Sequence, residues 1–179
     1  MDARSEIHDF TDTLNEIGNG YSFGKDFVLK ACLYLSENLP IQYRVKNFTR
    51  NNLRTIEGNW EKIKESLSAT VRLISRFGFN AKNVVAPLAL LPIAFYLMKR
   101  SNSAFDTSSK AEDVHAQVAI RRWFVFSTLK NAFGGSSDTT LTRLRVLLNA
   151  CGSTGPFPAD DLYTSLGIEP SVNDAEIDR

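Results

Sequence analysis

The sequence predicts an all-α fold, a single compact bundle of about six or seven helices. Two observations carry that reading. Apolar residues recur three and four apart through most of the chain, with no alternating run long enough to argue for a sheet. One stretch near 110–133 gathers Trp123, Phe124, Phe126 and Phe133 just ahead of Gly134-Gly135, so it reads as a buried, aromatic-rich helix. Its apolar positions, from Val114 and Val118 to Leu129, cover most of the helix circumference, which predicts burial on more than one side.

The first element is a stripe of Ile7, Phe10, Leu14 and Ile17, closed by Gly18 and Gly20. A second helix follows over about 26–37 and stops before Pro40, because the residue ahead of a proline leaves helical geometry. Leu53, Ile56, Trp60, Ile63, Leu67, Val71 and Ile74 then keep helical spacing, as one long helix or two joined at Gly58, with Gly78 as the stop. Val84 to Met98 is apolar throughout but would span only about 22 Å as a helix, too short for a bilayer core of about 30 Å. It holds Pro87 and Pro92, so it reads as a buried core segment with Pro92 early in a helix and Lys99-Arg100 at the carbonyl end. Residues 101–109 form a polar loop before the aromatic helix. Gly134 or Gly135 is expected to take the left-handed turn after it, and Ser136 or Ser137 to cap a last helix bearing Leu141, Leu144 and Leu148. The helical domain is placed at 1–155. Residues 156–179 form an acidic segment with Pro156, Pro158 and Pro170, expected to be partly loose.

Charge excludes a strongly basic nucleic-acid domain, since 21 basic residues face 20 acidic ones. The balance is local. Between Arg44 and Arg76 eight basic residues stand against Glu57, Glu61 and Glu65 only. The candidate nucleic-acid contacts are therefore Arg50, Arg54, Lys62, Lys64, Arg72 and Arg76, joined by Arg121 and Arg122 beside Trp123-Phe124. Against this stand a solvated charged face and a buried aromatic core. Ser136 and Ser137 are the candidate anion contacts, because backbone N–H groups at a helix start attract anions, although Asp138 sits where the anion would lie.

No catalytic constellation assembles. His8, His115, Cys32 and Cys151 are scattered too widely for a metal site, and the cysteines read as small buried residues of a reducing compartment. Gly152-Ser153-Thr154-Gly155 lacks the strand a nucleophile elbow needs, and no Gly-Lys-Ser/Thr phosphate loop is present. No metal or cofactor is expected, no membrane span, and a cytoplasmic location.

Several segments occur in a family-like order: Asp26-Phe27-Val28-Leu29-Lys30-Ala31, then Ala89-Leu90-Leu91-Pro92-Ile93-Ala94-Phe95-Tyr96-Leu97, then Arg122-Trp123-Phe124 leading into Gly135-Ser136-Ser137-Asp138, Leu141 and Arg143. Residues 5–150 thus resemble the central helical part of a prokaryotic family that carries an N-terminal ParB-like domain with an Asp-Gly-Gln-Gln-Arg motif. A His-Asn-His nuclease domain often follows. Such proteins include modification-dependent restriction endonucleases and phage-defence proteins, with nucleotide hydrolysis linked to the first domain and DNA cleavage to the last. The Asp-Gly-Gln-Gln-Arg motif is absent here, and His8 and His115 cannot build the nuclease centre. The resemblance therefore implies a non-catalytic connector that positions catalytic domains of a longer polypeptide or partner subunit and contacts DNA. The rival reading is a protein–protein module with no nucleic-acid role, docking partner helices on Val84 to Met98 and Trp123 to Phe133.

Overall fold

A computed structural model describes residues 3–102 and 104–171. The described residues form seven helices and no strand: α1 (Ala3–Asn15), α2 (Lys25–Leu35), α3 (Arg50–Arg76), α4 (Leu90–Arg100), α5 (Ala111–Leu129), α6 (Ser137–Ala150) and α7 (Ala159–Leu166). Short 3-10 turns at Val45–Asn47, Pro87–Ala89 and Phe105–Thr107 link them.

At the centre lies α4. Every residue from Leu90 to Leu97 is buried, and the helix packs on α2, α3 and α6. An apolar sequence on all sides leaves no face for solvent, so the other helices must surround it. Pro92 is the third residue of α4, where its missing N–H costs no helical hydrogen bond. Lys99 and Arg100 lie in the last turn of α4 as expected, and each is also drawn to a carboxylate. Lys99 pairs with Glu37 at 2.9 Å and Arg100 with Asp113 at 2.9 Å, while Ser101 closes the helix in the left-handed conformation. The loop after it is not merely polar, because Phe105 and Asp106 are both buried.

One continuous helix, α3, runs through Gly58, where an added Cβ would meet nothing within 4 Å. Thr49 caps it by accepting a hydrogen bond from the Asn52 N–H at 3.3 Å. Its buried stripe is the predicted one from Ile56 on, through Trp60, Ile63, Leu67, Val71 and Ile74, whereas Leu53 at the first turns is 41% exposed. The turn after α1 packs closely on its far end. Gly18 has φ +61°, and a Cβ there would lie 1.8 Å from Ser75 Oγ, so both conformation and space demand glycine.

On α5, Ile120, Trp123 and Phe124 are wholly buried, as the aromatic cluster predicts. Trp123 meets the Phe133 and Phe157 rings at 6.4 and 5.8 Å, and Phe124 meets Phe79 at 4.9 Å. Burial does not extend round the whole helix. Val114, Val118 and Leu129 are 39%, 63% and 46% exposed, because α5 lies at the rim, between α7 and the Pro87–Ala89 turn. Counting apolar residues round the circumference could not reveal that open flank.

The elbow after α5 forms three residues earlier than expected. Asn131, at φ 50°, is the left-handed residue, whereas neither Gly134 nor Gly135 has positive φ. The Ala132 N–H reaches Ser127 O at 2.9 Å, the six-to-one bond that ends many helices. Gly134 serves a different need, since its missing Cβ leaves room for the Asn131 side chain.

The segment set apart on composition contributes to the core. Phe157, Leu162 and Tyr163 are buried, and α7 packs on α5 and α6, so the helical body continues past 155. Residues 172–179 lie outside the described residues.

Candidate nucleic-acid interface

Opposite its buried stripe, α3 presents an exposed ridge of Arg50, Arg54, Glu57, Glu61 and Glu65, three and four apart, continued two turns on by the half-buried Arg72 and the exposed Arg76. The acids occupy its middle. Eighteen residues separate Arg54 from Arg72, or about 27 Å of helix axis, well beyond a screening length of about 8 Å at physiological salt. The local excess of positive charge therefore splits into two separate ends. Lys64 is spent within the acidic middle, 2.7 Å from Glu61 and 5.7 Å from the Trp60 ring centroid. Lys62 is exposed on the other flank, towards Met98 and Ser101 at the end of α4.

The C-terminal end of α3 is the richer one. Arg72 is held 3.3 Å from the buried carboxylate of Asp106, which fixes the guanidinium beside the Phe105–Thr107 turn. Arg76 is exposed one turn further along the same ridge. Phe77, the next residue, lies under the guanidinium of Arg121, 5.9 Å from Cζ to the ring centroid. Arg121 of α5 thus joins Arg72 and Arg76 at one end of α3.

Arg122 turns the other way. It lies 5.8 Å from the Phe126 ring centroid and donates to Pro170 O at 3.4 Å, on the side of α7. The basic-aromatic run Arg121 to Phe124 is therefore divided. Both arginines are exposed, while the Trp123 and Phe124 rings are inside and offer no stacking platform. Arg50 and Arg54 stay at the opposite end of α3.

Ser136 takes the N-cap position of α6, yet its hydroxyl bonds to Thr139 Oγ1 at 3.0 Å rather than to a backbone N–H. Ser137 is half-buried beside it, and the carboxylate of Asp138 is paired with Lys30. An anion here would meet Asp138 first.

Cations drawn into the interior, Lys30 buried and Arg145 half-buried, are what the sequence reading missed. Lys30 is only 8% exposed, and Arg145 crosses from α6 to donate to the carbonyls of Leu33, Tyr34 and Leu39, filling the C-terminal end of α2. More than a hundred positions separate Arg145 from each of these acceptors, so no local pattern could have signalled the contact. Cys32 is buried as expected, and burial pushes its thiol up to about 12; Cys151 is only half-buried. His8 bonds to Asp12 at 3.0 Å. Among the described residues no group of three or more His, Cys, Asp or Glu could hold a metal, and no helix is long and apolar enough to cross a membrane.

No protein-family model matches the chain, and no curated protein matches it. The likeness to the ParB-like and His-Asn-His nuclease family thus rests on the residues quoted above.

Proposed function

We propose that the chain is a non-catalytic helical domain of a DNA-restriction or phage-defence type protein. It positions catalytic domains and touches DNA at the C-terminal end of α3, through Arg72, Arg76 and Arg121. The observation that carries the contact is the placing of Arg121 over the Phe77 ring, next to the exposed Arg76 and one turn beyond the Arg72–Asp106 pair. The landmarks of the family resemblance support the scaffold role, because Trp123, Phe124 and Leu141 are fully buried and Gly135 and Ser136 form the α5–α6 elbow. With its rings enclosed, the domain meets phosphate rather than bases, so binding is sequence-independent and salt-sensitive.

A fluorescence titration with duplex DNA at two salt concentrations tests this. Three phosphate contacts predict affinity falling about 40-fold over a fourfold rise in salt, and the Arg76→Glu/Arg121→Glu double variant losing binding at low salt. No binding even at low salt, or full binding by the double variant, removes the DNA contact.

A second reading, a protein–protein module with no nucleic-acid role, is favoured by the acidic middle of α3 and the exposed Val114, Val118 and Leu129 of α5. Its surfaces are not those the sequence suggested, because the core of Val84 to Met98 and the Trp123, Phe124 and Phe133 rings face inward.

A further inference from the structure

We propose that the face where α1, α2 and α3 meet is a docking site for a basic polypeptide segment carrying one large apolar anchor residue. The proposal builds on the protein-binding reading and names its partner's chemistry; it does not depend on the DNA contact.

The α1, α2 and α3 helices leave between them a cavity of about 230 Å³, walled by Ile7, Leu29, Phe48, Leu53, Ile56 and Trp60. Pockets for drug-sized ligands begin at about 300 Å³, so this volume suits a single large side chain. Among the described residues its charged lining is Glu6, Glu57 and Glu61, all acidic. Glu6 is fixed at the mouth because its Oε2 accepts a hydrogen bond from Trp60 Nε1 at 2.7 Å.

A second, more open groove continues from this mouth along α1 and α3. It shares Glu6 and Glu61 and adds Asp9 and Glu65, against Lys64 as its basic lining residue. Lys64 is itself paired with Glu61. Arg50 and Arg54 stand nearby on α3 but line neither cavity. From Leu53 to Ser68 the two cavities follow about 22 Å of helix axis. An apolar hole followed by a row of carboxylates is the counterpart of an apolar anchor followed by lysines or arginines. The same carboxylates repel nucleic acid and an anionic lipid surface, which leaves a basic polypeptide as the occupant.

The test uses fluorescence anisotropy with two labelled isomeric peptides of one leucine with several lysines and serines, one patterned with the leucine directly ahead of a lysine run and one scrambled. The patterned peptide is expected to bind about tenfold tighter than its isomer. The Glu57→Gln/Glu61→Gln variant, altered at two exposed positions, should weaken it about tenfold, and Leu53→Lys, at a residue 41% exposed, should erase the preference. Circular dichroism checks that both variants fold. Absence of binding, equal binding of the two isomers, or unchanged affinity in both variants would overturn the proposal. So would a homodimer that ignores the peptide and dissociates with Leu53→Lys, since the occupant would then be a second copy. Loss of DNA binding by the Arg76→Glu/Arg121→Glu variant has no bearing on this outcome, because those residues lie at the far end of α3.

Discussion

Asp113→Ala is expected to destabilise the domain by about 3–5 kcal/mol in urea denaturation. The Asp113 carboxylate is 2% exposed and accepts hydrogen bonds from Arg100 Nη2 at 2.9 Å, Ser108 Oγ at 2.6 Å and Asn102 Nδ2 at 3.3 Å. The Arg100 Nη1 group also donates to Tyr96 Oη and to Gly155 O, both at 3.1 Å. The network therefore ties the end of α4, the start of α5 and the loop after α6. Without Asp113 the guanidinium, itself 12% exposed, stays buried with no counter-charge, and that uncompensated charge is the main source of the loss. Changing both partners to apolar residues of similar size, Arg100→Met with Asp113→Leu, should recover most of it. A double variant as weak as Asp113→Ala would show that the neutral contacts to Ser108, Asn102 and Gly155 carry the stability instead.

Trp123→Ala should cost a similar amount, about 3–5 kcal/mol, through the cavity it leaves. The ring is fully buried and stands edge-on to Phe133 and Phe157, so its removal unpins both the α5–α6 elbow and the segment leading into α7. Trp123→Phe should lose far less. The indole Nε1 has no hydrogen-bond partner among the described residues, so the substitution sacrifices volume but no polar contact. Thermal unfolding of the two variants side by side separates the cases. Equal losses would mean that the site cannot repack around a smaller ring.

Elements whose signal is local could be read from the sequence. The stripes of α1, α3 and α6 appear because i, i+3 and i+4 spacing needs no tertiary knowledge, and Leu90 to Leu97 was recognisable as core because it has no polar face, although Val85 in the same apolar run is 74% exposed. The open flank of α5 was not, since Val114 and Val118 look like core residues until their neighbours are placed. Asn131 in the left-handed position was hidden by the two glycines that follow it.

The charge reading failed for a different reason. Counting Arg44 to Arg76 as a block gave a positive segment, but helical spacing already set Glu57, Glu61 and Glu65 between Arg54 and Arg72 on one ridge. That correction lay within the sequence. The placing of Arg121 over Phe77 did not, because that contact forms only where α5 passes the turn after α3, with Phe124 against Phe79.

The scaffold account depends on the Trp123 ring being enclosed, and acrylamide quenching of a Trp60→Phe variant, which leaves Trp123 as the single indole, measures that directly. Enclosure predicts quenching far below that of free tryptophan, unchanged when single-stranded DNA is added. Quenching near the free value, with protection by the DNA, would contradict it and place the ring on a binding surface.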